Sequence, residues 1–181
     1  ADNIVYVDSP EHNIDKWTFY RWWLVRFNHL DANIPGNDFQ FSTAIEGALG
    51  YNNSISISDS SLIDDLKYLR DPAWSYGTTL SLGETSKGSW LADNPGDPAF
   101  WSAAHGFPYL NYVADASLRA YDVQGGSPKI AAKFAQYFEG DVNGMLGIFD
   151  SNKNFLLDFN RGDITGTDSD AVGLFWPDQN G

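Results

Sequence analysis

The sequence predicts an α+β fold: a single compact domain spanning 1–181, mainly antiparallel sheet with about four to five helices. Three observations carry this expectation. Runs with helical apolar spacing are mixed with short apolar runs of strand length, without the regular βαβ alternation of a parallel sheet. The 181 residues are 43% hydrophobic and 19% charged, a globular composition that excludes a disordered or coiled-coil chain. The 17 Gly and 14 Asn divide the chain into compact elements joined by tight polar turns.

Residues 3–8, Asn-Ile-Val-Tyr-Val-Asp, read as a first strand. The clearest helix follows over 14–30, with Asn13 as its N-cap. Trp17, Tyr20, Leu24 and Phe27 recur at helical spacing and make an apolar face expected to be core. Trp22 and Trp23 extend the apolar surface, which predicts burial on two sides. Residues 38–42 and 53–58 are strand candidates, the second for its alternation of Ser and Ile. Ser61-x-x-Asp64 predicts a short helix that Asp71-Pro72 stops, and residues 77–82 read as another strand.

Residues 83–97 read as a loop, and Asp97-Pro98 as the start of a short helix ending at His105-Gly106. Residues 108–123 and 127–139 have helical periodicity, with Gly140 as a stop signal. Two apolar runs, 145–149 and 155–159, flank an Asp/Asn-rich turn and predict a hairpin. Residues 171–176 are a last strand candidate.

Charge narrows the function. The chain carries 11 Lys+Arg against 24 Asp+Glu, a net charge of −13. That opposes binding to nucleic acid, which needs clustered cations, and no segment has the apolar length that membrane insertion needs. The absence of Cys excludes disulfides, thiolate metal sites and a cysteine nucleophile. The chain starts Ala1-Asp2-Asn3, consistent with a cleaved signal or an excised domain. Its acidic, Cys-free, Asp/Asn/Gly/Ser-rich composition is common among proteins exported by bacteria, so a secreted or cell-surface location is expected, with a cytosolic origin as the alternative. No GxSxG elbow or phosphate-binding glycine loop occurs. The oligomeric state is left open.

The acids are 20 Asp and 4 Glu, which suits turn capping and solubility or oxygen ligation of a cation. Residues 139–181 hold eight acids against Lys153 and Arg161, a net charge of −6. Asp141, Asn143, Asp150, Asn152, Asn154, Asp158, Asp163, Asp168 and Asp170 are the candidate ligands for Ca²⁺ there. Oxygens at alternate turn positions can converge on one such ion. The EF-hand pattern fails, since Phe155 and Arg161 stand where Gly and Glu belong; a plain Asp/Asn turn is the competing reading. Trp90, Trp101, Tyr109 and Trp176, with His105 beside them, lie in or near turn-rich segments. Aromatic rings among polar groups suit a glycan or peptide ligand, although loop Trp residues can equally cover a core.

In being acidic and Cys-free, the chain resembles ligand-binding modules of the large calcium-dependent adhesins of Gram-negative bacteria. That resemblance implies an extracellular, non-catalytic module ordered by Ca²⁺. Ile14-Asp15-Lys16-Trp17 after a first strand, and Leu66-Lys67-Tyr68 before Pro72 and Gly77, are similar to secreted bacterial haemophores. The alternative it implies is a haem-binding protein using Tyr68 or a His, with Trp74 where that family has its His near the Tyr. A hydrolase with an unrecognised carboxylate or Ser/His site is the third reading.

Overall fold

A computed structural model describes residues 2–32, 41–47, 54–85 and 112–156. Among these residues the fold is helical. In chain order it runs α1 (His12–Phe27), β1 (His29–Leu30), β2 (Thr43–Ala44), α2 (Ser56–Leu66), α3 (Ala73–Thr85), α4 (Val113–Gln124) and α5 (Pro128–Phe149). The two short strands pair antiparallel, His29 opposite Ala44 and Leu30 opposite Thr43. No described helix is long and apolar enough to cross a membrane. The chain divides into two compact units, one of residues 1–81 and 112–131, the other of residues 82–111 and 132–181.

The expected antiparallel sheet is therefore corrected: this is not a mainly β architecture. Residues 3–8 belong to no strand, 56–58 open α2, 77–82 lie within α3, and 145–149 finish α5. The physical reasons differ. In α2 the Ser/Ile alternation is overridden by a longer period, because Ser56, Asp59, Ser60, Ile63 and Leu66 are the buried positions. In α3 every residue from 75 to 83 is buried. A helix wrapped on all sides loses its amphipathic period and reads as a buried strand. Asp71-Pro72 starts this helix instead of ending the previous one, with Asp71 Oδ1 accepting the Ala73 N–H at 3.0 Å. In α5, Gly140 is carried inside the helix at a cost of about 1 kcal/mol.

In the first unit, Val25, Ala44, Leu66 and Leu69 form a core cluster, covered by Ile4, Trp22, Leu62 and Trp74. Helices α2 and α4 pack together, with Val113, Ala116, Ser117 and Ala120 as the buried side of α4. Arg119 on α4 reaches Asp64 on α2 through Nε at 2.9 Å, and also pairs with Asp115. The Arg119 guanidinium holds the Asp64 carboxyl below the usual carboxylate range, with Lys67 assisting. Segment 42–44 crosses α3 so closely that a Cβ on Gly77 would lie 2.1 Å from the Ser42 carbonyl oxygen. Thr78 Oγ1 accepts the Ala44 N–H there at 3.0 Å.

In the second unit, Tyr137 lies over Gly83, where an added Cβ would meet its ring at 2.3 Å. The Tyr137 hydroxyl donates to Glu84, which also pairs with Lys133. Burial, and then the Glu84 bond, push the Tyr137 hydroxyl up to about 12. Phe134 is buried as the 127–139 periodicity predicts, and Phe138 packs beside it with ring centroids 6.0 Å apart.

Candidate binding surfaces

Helix α1 carries aromatic side chains around most of its circumference, so periodicity alone identifies two rival inward faces. The structure turns Trp22 and Val25 inward. Trp22 Nε1 donates to the Val5 carbonyl at 3.2 Å, and Arg21 pairs with Asp65 of α2. The helix starts after Glu11, earlier than the expected Asn13 cap, and Asp15 Oδ1 accepts the Ser9 N–H at 2.9 Å.

The face expected to be core is consequently corrected. Trp17 is 70% exposed, Tyr20 47%, Trp23 51% and Phe27 49%. Trp17 and Tyr20 meet edge to face at 5.8 Å between centroids. Tyr20 and Trp23 stack at 5.9 Å, and Trp23 and Phe27 at 5.2 Å, both pairs within 17° of parallel. Each step is one helical turn, so the four rings form a continuous ladder. Ile14 and Phe19, also exposed, extend it. Half-exposed rings of this size leave on the order of 100 Å² each. The ladder thus forms a contiguous exposed apolar patch of a few hundred Å², on the order of the largest patch a typical monomer carries.

A separate groove of about 530 Å³ lies along the opposite flank of α1. Val5, Val7, Trp22, Tyr68, Pro72 and Val123 supply its apolar lining, and Lys67 and Arg70 its charge. Tyr68 is 54% exposed, with the Lys67 ammonium 5.1 Å from its ring centre.

Among the described residues of the first unit, His29 and Asp59 are the most deeply buried titratable groups. His29 is 3% exposed, stacks on Trp74 at 4.0 Å, and neither of its ring nitrogens has a hydrogen-bond partner. Burial lowers it to about 4, with Asp31 and the Trp74 main chain opposing and Arg26 assisting. Asp59 is fully buried and accepts from Ser54 Oγ through Oδ2, while Oδ1 has no partner. Burial raises its carboxyl well above the usual range, with Glu46 adding to the rise.

Of the expected Ca²⁺ ligands, Asp150, Asn152 and Asn154 come together in the turn that ends α5. Asp150 accepts the N–H groups of Asn154 at 2.8 Å and Phe155 at 2.9 Å, Asn152 that of Asn154 at 3.1 Å, and Asn154 that of Leu156 at 2.8 Å. Lys153 and Phe155 adopt positive φ, as this winding requires. Asp141 and Asn143 sit upstream on α5. Nine residues of helix put Asp141 roughly 13 Å from Asp150 along the axis, so the structure does not bring those two together. Among the described residues no group of three or more His, Asp or Glu is placed to hold a metal. Asp158, Asp163, Asp168, Asp170, Trp90, Trp101, His105, Tyr109 and Trp176 lie outside the described residues.

The α1 ladder was hidden in sequence because exposed and buried aromatics have the same spacing. The available signal was the excess itself: six aromatic residues between Trp17 and Phe27, more than one helix face can bury. No known protein-family model matches the chain.

Proposed function

We propose that this chain is a non-catalytic binding module that takes an apolar segment of a peptide partner on the exposed aromatic face of α1. The observation that carries the proposal is the continuous ring contact from Trp17 through Tyr20 and Trp23 to Phe27 at roughly half exposure. An amphipathic peptide with apolar residues at helical spacing has the complementary repeat. The ring geometry favours peptide over glycan. A pyranose needs a free aromatic face, whereas Trp23 turns its faces to Tyr20 one turn before and Phe27 one turn after. Ring edges and partly covered faces suit Leu, Met and Phe side chains better.

Selection of a displayed library of short peptides on the wild-type protein tests this reading. The expected winners carry apolar residues at helical spacing and lose at least 30-fold in affinity on Trp23→Ala, which is about 2 kcal/mol. Winners that bind Trp23→Ala and Trp17→Ala as tightly as wild type would contradict it.

A further inference from the structure

We infer that the groove between the N-terminal segment and the 67–72 turn is a second, separate site, which takes an extended apolar peptide as an added strand and holds its C-terminal carboxylate on Arg70. Three observations converge.

The first is charge. Although acids outnumber bases 24 to 11 in the chain, no carboxylate lines this groove among the described residues. Lys67 is nearly buried and is bound to Asp64 at 2.8 Å. Gln124 is committed to Ser75 and to the Leu69 carbonyl. Arg70 is exposed, and its guanidinium has no ion pair or hydrogen bond to any described residue. A free guanidinium over an apolar trough fits a ligand with one carboxylate and an apolar body.

The second is main chain. Residues 5–9 belong to no helix or strand, yet Val5 and Val7 line the groove and the intervening Tyr6 does not. This is the two-residue alternation of an extended chain. Val5 gives its carbonyl to Trp22, while the main-chain groups of Tyr6, Val7 and Asp8 make no hydrogen bond to described residues. An exposed row of unpaired N–H and C=O groups is a template for strand addition.

The third is direction. The Arg70 N–H donates to the Asn3 carbonyl at 2.9 Å, and the Asp71 N–H to Asn3 Oδ1 at 2.6 Å. The start of the segment is thus pinned beside Arg70, and the chain then runs away from it to Ser9. A strand added antiparallel to this segment ends at Arg70, which places its terminal carboxylate there. At about 3.3 Å per residue, the segment accommodates a ligand of roughly five residues.

The probes are an N-terminally labelled Val-Thr-Val-Thr-Val peptide with a free carboxylate and the same peptide as its C-terminal amide, read by fluorescence anisotropy. The expected result is at least ten-fold tighter binding of the acid by wild type. On Arg70→Gln the acid should fall to the amide's affinity, and on Arg70→Lys part of the preference should return. N-methylation of the central peptide amides should cost at least ten-fold. Trp23→Ala should leave these affinities unchanged, separating this site from the α1 ladder. Equal binding of acid and amide by wild type, no binding of either, or a preference kept in Arg70→Gln would overturn the proposal. Displacement of the peptide by octanoate at equal concentration would also overturn it, assigning the groove to a fatty carboxylate.

Discussion

His29 and Asp59 set opposite pH dependences. The folded state keeps His29 neutral down to about 4, while the unfolded chain takes up the proton near 6.5. The unfolded state therefore binds more protons between those values, and stability falls as pH drops from 6.5 towards 4. The full shift is worth about 3 kcal/mol. A pH series of urea unfolding should show this loss in wild type and lack it in His29→Phe. Asp59 has the other sign. Its raised folded value makes the protonated acid the stable form, so its contribution is full below the ordinary carboxylate range and is lost as pH rises through the folded value. Asp59→Asn removes the buried charge and should raise stability at pH 8 by on the order of 1 kcal/mol, with less gain at pH 4. A lower melting temperature for Asp59→Asn at pH 8 would mean that the charge has a partner. Neither group could be singled out in sequence, because burial, which sets both shifts, is decided by residues distant along the chain.

At the scale of elements, α1 decides the account. Because Val25 faces the core and Phe27 does not, Val25→Ala should cost about 2 kcal/mol and Phe27→Ala less than about 1. Denaturant melts of the two variants check this directly, and the reverse ranking would restore the face that sequence periodicity points to. Gly77→Ala should be severe, at roughly 3 kcal/mol or more, because the methyl would meet main chain and not a yielding side chain. A melting temperature within a few degrees of wild type would show that segment 42–44 does not cross α3 so closely. The helices α1 and α4, and α5 as far as Gly140, were legible from 3.6-residue periodicity, whereas Gly140 and the apolar run 145–149 hid the second half of α5. α2 was only half legible, because Ser at its buried positions gives no hydropathy signal. α3 was lost altogether, since burial on all sides erases the period that separates helix from strand.

At the scale of the whole molecule, the expectation of an acidic binding module survives as a proposal with its contact surface relocated. Loop aromatics led the sequence reading because turns are where binding groups concentrate. The ladder of Trp17, Tyr20, Trp23 and Phe27 stands on a helix, which fixes the mutual geometry of its rings better than a loop would. The Asp150 turn was legible as a local motif, and its oxygens do converge, on main-chain amides. Whether aromatic residues on a helix face water or core was not legible, because that depends on which neighbour reaches the helix first. The most direct test pairs two quantities on one protein: the affinity of a selected amphipathic peptide and the melting temperature, each for wild type and for the Trp17→Ala/Trp23→Ala double variant. An exposed recognition face predicts at least a 30-fold loss of peptide affinity with the melting temperature held within about 3 °C. A melting temperature lowered by ten degrees or more, or an unchanged affinity, would contradict it and return these rings to the core.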